Sequence, residues 1–160
     1  MHSQCLRLTI LASMLALSFA ANGQAPDPDA TPTVDSIRGP SADASGHAIQ
    51  LRTRGGIDAH FDTDLPGDCD GEITRQPVVH LEVSEPVGIR FAARSHSRTR
   101  PTLLIHAPDG RWHCDHGNLG RRLPEVQIPR PVAGRYAIWV GAYESPEGDA
   151  ELIIEPLLVE

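Results

Sequence analysis

The sequence predicts an all-β domain, an antiparallel β-sandwich or jelly roll of about eight short strands. Three observations carry this expectation. Glycine and proline, 14 of each in 160 residues, all fall after Ala20, and beyond that point the longest stretch free of both is the 12 residues from Ile89 to Arg100. Helices rarely survive such interruption, because proline removes a backbone donor and glycine loosens the chain. Between the breaks, apolar residues recur at every second position. Val79, Leu81 and Val83 alternate with His80, Glu82 and Ser84, and Val87, Ile89, Phe91 and Ala93 alternate with Gly88, Arg90, Ala92 and Arg94. A period of two puts one set of side chains on a buried face and the other on a solvated one. Turn chemistry is the third observation: Ala107-Pro108-Asp109-Gly110 suits a type I turn, and Ser145-Pro146-Glu147-Gly148-Asp149 suits the loop of a terminal hairpin.

Taken in chain order, residues 1–20 read as a signal peptide. Arg7 supplies a positive start, Leu8 to Phe19 an apolar run, and Ser18-Phe19-Ala20 a small-x-small cleavage site, with a second possible cut after Ala25. The run is short for a membrane span, so no span is expected once the leader is removed. Residues 21–45 read as a disordered linker, since Ala25-Pro26-Asp27-Pro28-Asp29-Ala30-Thr31-Pro32 offers almost nothing to bury. The sandwich is expected over residues 46–160. Its strands are read at 47–53, 79–83, 87–93, 102–107, 111–114, 125–128, 135–143 and 150–154.

Charge narrows the function classes. All 14 basic residues are arginine, against 21 Asp and Glu, for a formal net charge of -7. That balance argues against a nucleic-acid partner, which needs clustered basic surface.

Leader removal leaves two cysteines, Cys69 and Cys114. In an oxidising compartment an isolated pair without Cys-x-x-Cys spacing reads as one disulfide, with a metal site or a reactive thiol as the alternatives. The zinc version of that alternative gathers Cys114 with His106, His113 and His116.

Three segments then carry a resemblance: Gly67-Asp68-Cys69-Asp70-Gly71, the run from Thr102 through Pro108-Asp109-Gly110 to Cys114-Asp115, and the run from Gly134 to Tyr143. In this order they resemble bacterial secreted domains similar to the pre-peptidase C-terminal domain, over residues 45–160. The resemblance implies a β-sandwich, commonly attached to exported proteases, and Cys69 and Cys114 match the family's cysteine pair. Where related sequences carry aspartates before the Pro-Asp-Gly turn and after the second cysteine, this chain reads Arg100-Pro101-Thr102-Leu103 and Cys114-Asp115-His116-Gly117. Those substitutions remove carboxylates from the family's calcium site.

Calcium stays an alternative because of a second acidic group. Asp58, Asp62, Asp64, Asp68, Asp70 and Glu72 fall within 15 residues, although Pro66 breaks the order of an EF-hand loop. With the turn aspartate Asp109 and Asp115, the candidate ligands are Asp58, Asp62, Asp64, Asp109 and Asp115; the competing reading is a solvated acidic loop, with no cofactor bound.

Nucleophilic chemistry has little to stand on. The chain lacks Gly-x-Ser-x-Gly, and Ser95 with His96 or His47 is the arrangement left to consider. Binding rests on the tryptophans. Tyr136, Ile138 and Val140 share one face of a strand and Trp139 takes the other, so Trp139, with Trp112 nearby, is either core or an exposed anchor. The sequence therefore favours a periplasmic or secreted, non-catalytic binding or accessory module for a cell-envelope or extracellular protein or glycan. A calcium-binding sandwich is the first alternative, and a protease-associated protein or unrecognised hydrolase the second.

Overall fold

The computed structural model describes residues 25–40, 45–67, 69–95, 99–117, 123–143 and 147–157. The expected signal peptide, Asp68 of the acidic group and His96 lie outside the described residues.

Among the described residues eleven strands form two packed sheets, and none of these residues is helical. In order they are β1 (Asp35–Arg38), β2 (His47–Thr53), β3 (Ile57–Asp58), β4 (Glu72–Ile73), β5 (Val79–Val83), β6 (Ile89–Ser95), β7 (Pro101–His106), β8 (Trp112–Asp115), β9 (Glu125–Ile128), β10 (Gly134–Ala142) and β11 (Gly148–Pro156). The first sheet centres on β10, with β5 and then β1 on one side and β7 and then β8 on the other. The short β3–β4 pair joins the far end of β10, through Ala142 opposite Glu72. The second sheet runs β2-β11-β6-β9. Among the described residues every pairing is antiparallel except β1 with β5. The expected β-sandwich is therefore present, with each of the eight expected strands found.

The alternating residues do what their period requires. Val79, Leu81 and Val83 meet Ile89, Phe91 and Ala93, Leu103 and Ile105, Tyr136, Ile138 and Val140, and Leu152 and Ile154 in one core between the sheets. The Tyr136 hydroxyl both accepts from the Val132 amide (2.9 Å) and donates to the Val132 carbonyl (3.0 Å), which ties the entry of β10 to its own strand. The turn at residues 107–110 closes with Gly110 N–H on the Ala107 carbonyl at 2.9 Å, and Gly110 takes a positive φ of 82° that a side chain would oppose.

The two outer faces differ. That of the second sheet is polar and laced by Arg90 with Glu125 and Glu155, and by Arg94 and Gln50 with Glu151. That of the first sheet is covered. A second core of Ile57, Ala59, Cys69, Ile73, Leu104, Ala137 and Trp139 sits under the chain between β3 and β4.

The linker expectation is corrected here for residues 25–40. Instead of a mobile tether, this segment straps the first sheet. Asp27 N–H donates to Arg75 O (2.8 Å), Thr33 N–H to Pro77 O (2.9 Å), Val34 N–H to Val78 O (3.0 Å) and Gly39 N–H to Glu82 O (2.7 Å), with β1 between. The physical reason is main-chain pairing: a segment with little to bury still docks where a strand edge offers unpaired donors and acceptors. His80 shows the result. Its place in the alternation points it away from the main core, yet it is only 6% exposed, with Nε2 3.0 Å from the Pro28 carbonyl.

Candidate functional site

The loop between β3 and β4 is built by its own polar residues. Asp58 Oδ1 accepts from the amides of His60 and Phe61 (both 2.9 Å), and Asp62 Oδ2 accepts from the Asp58 amide (2.9 Å). The Asp62 amide returns to the Asp58 carbonyl, the Thr63 hydroxyl donates to Ala59 O (2.6 Å), and the Leu65 amide donates to Thr63 Oγ1 (3.2 Å). These are the local side-chain turns that aspartate and threonine favour. Ala59 and the half-buried Leu65 point inward onto the second core, while Phe61 stands out at 81% exposure with the His60 ring edge-on at 4.7 Å.

A covalent tie fixes the far end of the loop. Cys69 is bonded to Cys114 on β8, with Cα atoms 5.0 Å apart, as the sequence and the resemblance both imply. Cys114 is therefore no thiolate, which removes the zinc alternative. Where the loop ends in β4, Gly141 lets it return close to β10, since a Cβ there would overlap the Glu72 carbonyl oxygen and press on Ile73.

The structure settles the tryptophans. Trp139 is 1% exposed and belongs to the second core, so it is corrected from candidate anchor to core residue. It is buried because the loop and the disulfide roof a face that alternation alone leaves to solvent. Trp112 is half-buried on β8, with its ring 5.3 Å from that of Trp139 and 4.9 Å from that of His106.

The candidate calcium ligands are spread out. Asp58 and Asp62 share the loop, where both bond backbone amides, and Asp64 follows them, exposed. Asp109 sits at the β7–β8 turn and is paired with Arg111, which pulls its carboxyl below the ordinary range. Asp115 closes the other end of β8, accepting from the amides of Gly117 and Glu125 (both 2.8 Å). Among the described residues, no three His, Cys, Asp or Glu are grouped as a metal would need. Arg100, one of the departures from the family pattern, lies 4.5 Å over the Tyr143 ring.

The histidines of β7 and β8 are half-buried. Burial lowers the pKa of His106 against the partly opposing pull of Asp29 and Asp109; burial and then the Arg111 charge lower that of His113. Ser95 and His47 face opposite ends of β11, opposite Ala150 and Ile154 respectively, so they do not form a dyad. Phe61 is the residue the sequence reading missed. Its only signal there is a lone aromatic among acids, which the period of the strands does not reach.

These features define a class: a small two-sheet β-sandwich whose one outer face is roofed by a disulfide-anchored loop. No family model and no curated protein matches the sequence. Among solved structures the chain is similar to the pre-peptidase C-terminal domain of collagenase from Bacillus anthracis, at 14% identity and TM-score 0.50, covering 79% of this chain and 99% of that one. It is also similar, at 16% identity and TM-score 0.38, to Aeromonas hydrophila PliG, a periplasmic lysozyme inhibitor of g-type lysozyme, over 78% of this chain and 100% of that one. The resemblance read from the sequence thus holds at the level of fold.

Proposed function

We propose that this protein is an exported, non-catalytic recognition module that docks its disulfide-anchored loop onto a protein at the cell envelope or outside the cell, with Phe61 as the apolar anchor. The observation that carries this reading is the 81% exposure of Phe61 on a loop whose backbone is already fixed. An aromatic side chain held out on ordered backbone loses little freedom on binding, and such residues dominate interface energetics. The segment from Ile57 to Ile73 carries six acids and no arginine, so the complementary partner presents an apolar pocket with a basic rim. Export is supported by the disulfide, which persists in oxidising compartments.

The test compares wild type with Phe61→Ala in binding to envelope extract, followed by purification of the captured protein and titration against it. Phe61→Ala should keep the melting temperature and weaken binding by at least about tenfold. Equal binding by the two proteins overturns the reading. So does turnover of a peptide, ester or glycan that survives repurification and is lost on changing one Ser, His or Asp.

A further inference from the structure

The two edges of the first sheet are finished differently. The β5 edge is filled by the chain's own strap, through β1 and the flanking hydrogen bonds of Thr33, Val34 and Gly39. At the opposite edge, β8 pairs only with β7 among the described residues.

The register says which backbone groups that leaves open. Ala107 N–H donates to Arg111 O at 2.9 Å, so these two residues form a hydrogen-bonded pair. Antiparallel ladders alternate, so Ile105 with His113 and Leu103 with Asp115 are also bonded pairs, while His106 with Trp112 and Leu104 with Cys114 are not. The N–H and C=O groups of Trp112 and Cys114 therefore point away from β7. Trp112 and Cys114 also line a cavity of about 340 Å³ at this edge. One lip is Trp112, Pro66 and the Cys69–Cys114 disulfide; the other is His113, Glu125 and Val126. The disulfide holds the first lip in place, and the Asp115 carboxylate, bonded to the amides of Gly117 and Glu125, holds the far end of the second.

We infer that the β8 edge is a strand-addition site that takes an extended, otherwise unstructured segment of a partner protein, paired antiparallel or parallel through the main-chain groups of Trp112 and Cys114. Strand addition takes affinity from main-chain hydrogen bonds and specificity from alternate side chains. Here successive side chains of the guest fall on the Trp112–disulfide lip and the His113–Glu125–Val126 lip in turn. The sheet already accepts such a guest at its other edge, where a Pro- and Asp-rich segment is held chiefly by its backbone. This site is separate from the Phe61 contact, and either can fail without the other.

The test is amide hydrogen exchange on the full, disulfide-bonded protein. The probe is a capped heptapeptide of alternating valine and threonine with a lysine at each end, at millimolar concentration. In the free protein, the amides of Trp112 and Cys114 should exchange quickly while those of His113 and Asp115 are slow. The peptide should slow Trp112 and Cys114 by at least about tenfold, a peptide N-methylated at alternate residues should not, and Phe61→Ala should leave the protection unchanged. Slow exchange at Trp112 and Cys114 in the free protein means the edge is already paired, by this chain or a second copy, and overturns the inference. Unchanged rates on adding the peptide overturn it as well.

Discussion

Removing the disulfide is a perturbation expected to act on the whole domain. Cys69 and Cys114 are 45 residues apart. In the chain-entropy account, closing a loop of that length withdraws about 4 kcal/mol of freedom from the unfolded chain. Since a domain of this kind is stable by only about 5–15 kcal/mol, the double variant Cys69→Ala, Cys114→Ala should lose a large share of its stability. The corresponding drop in melting temperature is roughly 15 °C. Cys69 is also 1% exposed in the second core, so alanine there adds a small cavity term. The assay is urea unfolding of wild type and variant, comparing midpoints and slopes. A change in midpoint with an unchanged slope isolates stability. Midpoints equal within error would falsify the view that covalent closure of this loop holds the fold. A lower midpoint should come with faster amide exchange across the loop from Ile57 to Ile73, because its roofing of Trp139 then rests on packing and on the short β3–β4–β10 pairing without the covalent tie.

Three further outcomes follow from the same geometry. Trp139→Ala should destabilise by about 3–5 kcal/mol in chemical unfolding, and a loss under about 1 kcal/mol would return Trp139 to the surface. Trp139→Phe should cost much less, because Trp139 Nε1 is buried with no hydrogen-bond partner among the described residues and phenylalanine removes that donor. Acidification from neutral pH should lower the melting temperature. His106 and His113 have folded pKa values held below the ordinary 6.5 by burial, so the unfolded chain binds more protons, and stability present above that value is lost as pH falls through the folded values. Melting curves between about pH 7.5 and pH 5 check this, and His113→Gln should flatten them; a higher melting temperature at the acid end contradicts it. Millimolar calcium should shift the melting temperature by little, because Asp58, Asp62, Asp109 and Asp115 already spend oxygens on backbone amides or Arg111. A large shift abolished by Asp58→Ala would establish a calcium site in the loop.

How much of this was legible in the sequence varies with the kind of force involved. The eight strands were readable because period-two burial and turn chemistry are local, and β2, at His47–Thr53, has the bounds expected for it. The three strands missed are β1, β3 and β4. Each is held by backbone pairing with a distant segment, and none repeats its apolar residues. The polar reading of His80 failed for the same reason, since alternation gives a face and not what later lies over it. Trp139 had a usable signal: Leu103-Leu104-Ile105 and Tyr136-Ala137-Ile138-Trp139-Val140 are continuous apolar runs, the mark of strands buried on both faces. The open groups of β8 were out of reach, because they depend on register.

The unequal finish of the two sheets bears on where recognition can happen. On the second sheet, Arg90, Arg94 and Gln50 already satisfy Glu125, Glu151 and Glu155, so a partner docking there must break charge pairs it has to replace. On the first sheet, the second core buries apolar surface and fixes the loop, but its roof ends in an exposed Phe61 on one side and the disulfide beside β8 on the other. Phe61 leaves most of its apolar area open to solvent, with only the edge of the His60 ring against it among the described residues, and β8 exposes main-chain groups that pair with nothing among the described residues. Both gain on contact without first losing an internal interaction. The disulfide joins them mechanically, because it ties the loop to the edge strand itself. A partner that meets the loop therefore finds the strand edge at a fixed distance, which is the condition under which two weak contacts reinforce each other.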